Sequence, residues 1–185
     1  MKNEIVRLGI ILLIITAIAA ALLGFVNEIT FPVIDAQIIE ANNLARKSIL
    51  KEADNFELIE EDFGVDIIEV YKGLKGSELI GYTIKTNPKG YGGPVEVTTG
   101  ITVDGVISGV SLGTMNETPG LGAKAKDAAF INQYNDKLIN GNIVVIKNGT
   151  PGDDEIVAIS GATITSVAVT SGVNKSIEVY NNKLQ

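Results

Sequence analysis

Leu8 to Val26 runs for 19 residues without a charge. As a helix rising about 1.5 Å per residue it nearly spans the roughly 30 Å hydrocarbon core of a bilayer, which predicts one transmembrane helix. A broken apolar stripe follows at Val33, Ile34, Ala41, Leu44, Ala45 and Leu50. With Thr30 as cap and Pro32 at an early helical position, it predicts a second helix from Thr30 to about Leu50, used for packing or as a stalk. Asp54 to Asp62 is acidic and reads as a solvated connector. Two strands are expected at Ile67–Tyr71 and Leu79–Lys85, joined through residues 73–77. Val95, Val97, Thr99, Ile101 and Val103 then alternate up to Asp104-Gly105, and Val106 to Leu112 returns as a hairpin. A helix is expected from about Ala123 to Leu138, then strands at 142–147 and 155–159. Val167, Ala168, Val169, Val173, Ile177 and Tyr180 recur at helical spacing and predict the closing helix. Strands in blocks, with helices set among them, indicate an α+β fold: an N-terminal transmembrane helix, then one domain with an antiparallel sheet and flanking helices.

Charge orients this layout. Lys2 and Arg7 precede the span, whereas Glu28, Asp35 and Glu40 follow it and no basic residue appears until Arg46. By the positive-inside rule the N-terminus is cytoplasmic, residues 1–30 cover that terminus and the span, and residues 31–185 form an extracytoplasmic domain on the cell (inner) membrane. A cleaved signal peptide ending near Ala17-Ile18-Ala19 is the rival reading. The apolar run exceeds the 7–15 residues usual for a signal core, and a retained anchor is expected. The net charge of −7 argues against a nucleic-acid partner. The chain has no His and no Cys. That excludes thiolate chemistry, iron–sulfur ligation and the usual triads and zinc sites, and no spacing matches a calcium loop, so no metal is expected. Any redox chemistry would need an organic carrier.

Three stretches carry candidate chemistry. Ser160-Gly161-Ala162-Thr163-Ile164-Thr165-Ser166 lies where a strand hands over to a helix, with Ser160 as the expected N-cap and the amides of Gly161, Ala162 and Thr163 as expected free donors. Such a turn is either an ordinary Ser-capped helix start or a seat for an anion, phosphate above all. Gly90-Tyr91-Gly92-Gly93 is a flexible bend, or a backbone surface on which a flat ring lies beside Tyr91. Glu117-Thr118-Pro119-Gly120-Leu121-Gly122 is a turn, or a loop folding over a ligand with Glu117 and Thr118 as its polar groups, and Lys124 after it is a solvated lysine or a phosphate partner. A serine hydrolase built on Ser160 would lack a His base.

Taken together, Ser160-Gly161-Ala162-Thr163 with Ile164-Thr165, Gly90 to Pro94, and Glu117 to Gly122 with Lys124 resemble the FMN-binding domain family, over nearly the whole chain. That family is shared by RnfG, a component of Rnf electron-transport complexes, and NqrC, a component of sodium-pumping NADH:quinone reductases. The resemblance implies covalent FMN joined through its phosphate to the Thr163 hydroxyl by a separate FAD-dependent flavin transferase. It implies cofactor contacts from Ser160, Gly161, Ala162, Thr165, Glu117, Thr118, Gly120, Leu121, Gly122, Lys124, Tyr91, Gly92 and Gly93, and no catalytic residue of the chain's own. It further implies an electron-carrying subunit working with other membrane and peripheral Rnf subunits, in ferredoxin oxidation coupled to NAD reduction and sodium or proton translocation. The short chain favours the Rnf component over the longer quinone-reductase one. The sequence departs from the family at Val157, where an acidic residue often stands six positions before the modified Thr. An anchored, non-redox anion-binding module is the alternative.

Overall fold

The computed structural model describes residues 2–185, with Lys2 and Asn3 as backbone alone. Met1 and the side chain of Lys2, both used above for the cytoplasmic terminus, lie outside the described residues. The chain divides after Asn42 into two compact units.

Helix α1, Lys2–Ile49, is continuous. Two helices were expected, with Thr30 opening the second. Thr30 instead lies mid-helix and its hydroxyl donates back to the Val26 carbonyl at 2.8 Å, while Pro32 is accommodated inside the helix. A proline removes one backbone donor and its ring crowds the preceding turn, and that local cost does not end a long helix. Within the first unit the apolar side chains are unburied on every side: Leu12, Leu13, Leu22, Leu23 and Phe25 are each more than half exposed.

The second unit is built on a five-stranded antiparallel meander: β1 (Asn55–Leu58), β2 (Ile67–Lys75), β3 (Glu78–Thr86), β4 (Val95–Thr102) and β5 (Ile107–Met115), in sequence order. The connector expected at 54–62 therefore contains an edge strand, β1, paired with β2 from Asn55↔Leu74 to Leu58↔Tyr71. Three of its four side chains are exposed and the strand is short, which suits an edge, where pairing is by backbone and one side stays open. Asp104-Gly105 makes the β4–β5 turn, with Gly105 at φ 73° and its amide donating to the Thr102 carbonyl.

Beyond β5 the single helix expected over 123–138 is replaced by a 3₁₀ turn at Gly122–Lys126, helix α2 at Ala128–Ile131 and a second 3₁₀ turn at Asn132–Tyr134. Asp127 and Asn135 take extended backbone and Asp136 is left-handed at φ 62°, as suits side chains that compete with a helix for backbone partners. Short strands β6 (Val144–Ile146) and β7 (Glu155–Val157) form a separate parallel pair rather than joining the meander. Helix α3, Thr163–Val179, closes the unit.

The core lies between α3 and one face of the sheet, where Val169, Val173 and Ile177 meet Ile84, Val97 and Ile101. Gly172 lets the helix come close, since a Cβ there would stand 2.6 Å from the Thr86 hydroxyl. Tyr134, fully buried, ties the irregular segment to α3 by a 2.7 Å hydrogen bond with the Thr170 hydroxyl. On the opposite sheet face the end of α1 and the residue after it lie over glycines: Leu50 against Gly73, and Ile49 against Gly100 and Gly109. Arg46, also buried, donates to Glu69 at 2.6 Å and stacks 3.7 Å from the Tyr71 ring centre.

Candidate functional site

The start of α3 is shaped by a buried serine inside the helix. Gly161 turns the chain at φ 76°, and the Ala162 amide donates to the Ile159 carbonyl at 2.9 Å. The Ser166 hydroxyl donates to the Ala162 carbonyl and accepts from the Ile159 amide, each at 3.0 Å, which closes the turn. Ala162 is the N-cap residue and no side chain caps the helix. Ser160, expected in that role, is exposed and two residues too early. Of the three amides expected free, that of Ala162 is spent, while those of Gly161 and Thr163 have no partner among the described residues. Thr163 is thus the first helical residue, half-buried, with open donors around it and the positive end of a 17-residue helix behind it.

Two loops face this turn. In the Glu117–Gly122 loop, the amides of Leu121 and Ala123 both donate to the Thr118 carbonyl at 3.2 Å, and Gly120 sits at φ 79°. Buried Glu117 reaches into the Gly90–Pro94 loop, accepting from the amides of Tyr91 at 2.8 Å and Gly92 at 3.2 Å. Its other oxygen accepts from the buried Thr165 hydroxyl at 2.8 Å. Gly92 is forced to be glycine, because a Cβ would run into the Asn116 carbonyl.

Together these elements enclose a cavity of about 550 Å³ lined by Tyr91, Glu117, Thr118, Leu121, Gly122, Gly161, Ala162, Thr163, Ile164 and Thr165. The structure therefore brings nine of the fourteen sequence-derived site residues to one cavity wall. Gly92 stands behind the wall as a partner of Glu117. Ser160, Gly93, Gly120 and Lys124 do not line the cavity, and Lys124 is exposed within the 3₁₀ turn. A second hollow of about 350 Å³ lies on the other side of Thr163 and Ile164, with Pro88, Lys89 and Val167 in its wall. Ile164, more than half exposed between the two hollows, was missed as a wall residue. Gln133 was missed as a supporting residue: its side-chain amide donates to the Val157 carbonyl at 3.2 Å and accepts from the Val157 amide at 2.7 Å, fixing the strand before the turn. Nothing local marks Gln133, which stands 24 positions away. The helix-then-hydroxyl spacing of Ser166 could have pointed to its lock.

Residues 90–178 match the FMN-binding domain family, and residues 1–51 match the RnfG N-terminal region. Over 95% of this chain and 91% of the relative's length, the sequence is 44% identical to the G subunit of the Na(+)-translocating ferredoxin:NAD(+) oxidoreductase complex of Acetobacterium woodii. It is 33% identical, over 96% and 92%, to the G subunit of the proton-translocating ferredoxin:NAD(+) oxidoreductase complex of Clostridium ljungdahlii. A solved structure of the C subunit of the Na(+)-translocating NADH-quinone reductase from Parabacteroides distasonis superposes with a TM-score of 0.53 at 27% identity, over 61% of this chain and 60% of that one. The likeness to the quinone-reductase protein is thus confined to part of each chain, whereas the likeness to the two ferredoxin:NAD(+) oxidoreductase proteins runs nearly end to end. The chain belongs to the RnfG family of ion-translocating ferredoxin:NAD(+) oxidoreductase complexes, an electron-carrying component with its FMN-binding domain at residues 90–178.

Proposed function

We propose that the protein is a membrane-anchored flavoprotein that holds FMN by a phosphoester to the Thr163 hydroxyl and relays electrons within an Rnf-type ion-translocating complex. The observation that carries this reading is the position of Thr163: first residue of α3, half-buried, in the wall of a cavity that gathers residues of all three motifs. The residues fit the group. A volume of about 550 Å³ suits a tricyclic ring system. Gly122 and Gly161 contribute to the cavity wall, and the first-turn amides of α3 favour a phosphate at its attachment point. Leu121 and Ile164 offer apolar edges, and Thr118 a hydroxyl.

Attachment is a group transfer from FAD by a separate transferase. The Thr163 oxygen bonds to the FMN phosphorus, the pyrophosphate bridge breaks, AMP leaves, and the hydroxyl proton passes to a base of the transferase. A covalent bond keeps the cofactor where free FMN is scarce and a reversible site would empty. When bound, the flavin supplies the electron chemistry, and the chain sets its position and its access to water. The chain's own contribution is therefore binding and orientation, and the remaining redox partners are other membrane and peripheral subunits of the complex.

Helix α1 supports the anchor. It is apolar on every side across residues 8–26, the surface expected of a helix solvated by lipid. Residues 1–30 then comprise the cytoplasmic terminus and the span, and residues 31–185, which include the second unit, lie on the outer side of the inner membrane.

The deciding experiment takes the protein from its native membrane, denatures it on a gel, and combines flavin fluorescence with the mass of the peptide containing Thr163. A fluorescent band that carries one FMN phosphoester and goes dark in Thr163→Ala is expected. A dark native band with an unmodified Thr163 would refute covalent attachment and leave a reversible anion site.

A further inference from the structure

The loops that line the cavity come from distant parts of the chain, and one side chain touches all of them. Glu117 belongs to the second loop. One of its oxygens takes the amides of Tyr91 and Gly92 from the first loop, at 2.8 and 3.2 Å, and the other takes the Thr165 hydroxyl from α3, at 2.8 Å. The backbone makes room for it on both sides. A Cβ at Gly122 would stand 2.5 Å from one carboxylate oxygen, and a Cβ at Gly90 would collide with the other. The three donors are neutral, and among the described residues Glu117 has no ion pair. Its carboxylate therefore stands in the cavity wall, buried, with no cation paired to it among the described residues.

We propose that Glu117 is the positioning residue of the flavin pocket, joining its two loops and helix α3 through hydrogen bonds within the protein and setting a negative charge beside the bound ring. This rests on the FMN reading above. The joining role follows from where its lone pairs go. The second role follows from Coulomb's law: in a wall of low effective dielectric, a fixed negative charge opposes the addition of electrons to a neighbouring ring and lowers its midpoint potential.

Glu117→Gln separates the two roles. Its carbonyl oxygen still accepts from the amides of Tyr91 and Gly92, and its NH₂ donates to the Thr165 oxygen, so the joint survives while the charge is gone. Glu117→Ala loses both.

Two measurements on the full-length chain in detergent test this. The first is amide hydrogen exchange over residues 90–93 in a Thr163→Ala background, which is independent of covalent flavin. Glu117→Ala is expected to speed exchange there roughly tenfold, the equivalent of one hydrogen bond, and Glu117→Gln to stay within about twofold of the parent. Unchanged exchange in Glu117→Ala, or exchange in Glu117→Gln as fast as in Glu117→Ala, overturns the joining role. Should Glu117→Ala fail to fold, Thr165→Val takes its place; it frees one carboxylate oxygen, is expected to speed exchange at Tyr91 and Gly92 by a smaller factor, and overturns the role if it does not. The second measurement is a redox titration of the flavin-loaded protein followed by its visible absorbance. Glu117→Gln is expected to raise the midpoint potential, and an unchanged or lower value overturns the charge role. A parent protein without flavin refutes the FMN reading and leaves the exchange result to decide the joint by itself.

Discussion

Gly122→Ala puts a single methyl group into the hydrogen-bonded joint. The glycine backbone is not left-handed, so alanine meets no backbone obstacle, and an ordinary Gly→Ala change would stabilise by about 0.4–1 kcal/mol through the unfolded chain. Here the new carbon would lie 2.5 Å from the Glu117 Oε2 and 2.7 Å from the Thr165 Oγ1. Contact distances between non-bonded heavy atoms are roughly 3.5 Å, so each oxygen has to retreat by about 1 Å or less. These two oxygens are each other's partners at 2.8 Å. Displacing either leaves a buried carboxylate oxygen without its donor, a loss of about 1.5–3 kcal/mol for a bond to a charged group. Net of the gain in the unfolded chain, destabilisation of about 1–2 kcal/mol is expected. Urea unfolding of the Thr163→Ala protein in detergent, with and without Gly122→Ala, gives the number from the shift in midpoint at constant slope. Thr165→Ala removes one of the crowded oxygens, so Gly122→Ala made on top of it should cost less by at least about 0.5 kcal/mol. Equal or higher stability in Gly122→Ala, or strict additivity with Thr165→Ala, would refute the crowded joint.

Two further outcomes follow from the packing of the second unit. Arg46→Ala removes a buried guanidinium from Glu69, Asn43 and the Tyr71 ring while Lys85 remains 3.8 Å from Glu69, so a loss of about 2–3 kcal/mol is expected, below the full 3–5 for a broken buried pair. Thermal unfolding should show it as a fall of roughly 6–12 °C, and Arg46→Lys should recover less than half because an ammonium lacks the planar fork and stack. Burial pushes the Tyr134 phenol well above its ordinary value, and burial with Tyr82 and Asp104 nearby raises that of Tyr180. A raised folded value means that the neutral phenol is the folded form, so their stabilisation is complete below about pH 10 and is lost as pH climbs above it toward the folded values, by up to about 1.4 kcal/mol per pH unit for each group. Urea midpoints measured between about pH 9 and 12 should fall with pH, and Tyr134→Phe should reduce that slope without abolishing it.

How far the fold could be read in advance depended on whether a segment's structure is decided locally. The β4–β5 hairpin was legible because Val95, Val97, Thr99 and Ile101 alternate and Asp104-Gly105 supplies the left-handed turn. β1 was hidden because an edge strand is held by backbone bonds, and the alternation of Asn55-Phe56-Glu57-Leu58 is only four residues long inside an acidic stretch. The continuity of α1 was hidden for the opposite reason: Thr30 and Pro32 are strong local start signals, and the helix runs through both by turning the Thr30 hydroxyl onto its own carbonyl ladder. Over 123–138 one helix was expected, and the extended or left-handed backbone of Asp127, Asn135 and Asp136 breaks it into short turns.

The site divides in the same way. Each of the three stretches announces itself within five to seven residues, so they could be named, and Thr163 singled out, without knowing how they meet. Their meeting is decided across 48 positions, where Thr165 donates to Glu117, and across 26, where the Tyr91 amide does. A carboxylate in a loop beside a ligand reads most simply as a ligand contact, and residue type alone cannot distinguish that from a carboxylate whose oxygens are already taken. The hydrogen bonds do distinguish them. Glu117 accepts three donors from two other elements, and Gly90 and Gly122 lack side chains where those oxygens lie, so the glycines of two motifs are explained by the acid of one. Glycine there serves the protein's own joint as much as any approach by a ring, which is why Gly122→Ala should be felt even in a protein that carries no flavin.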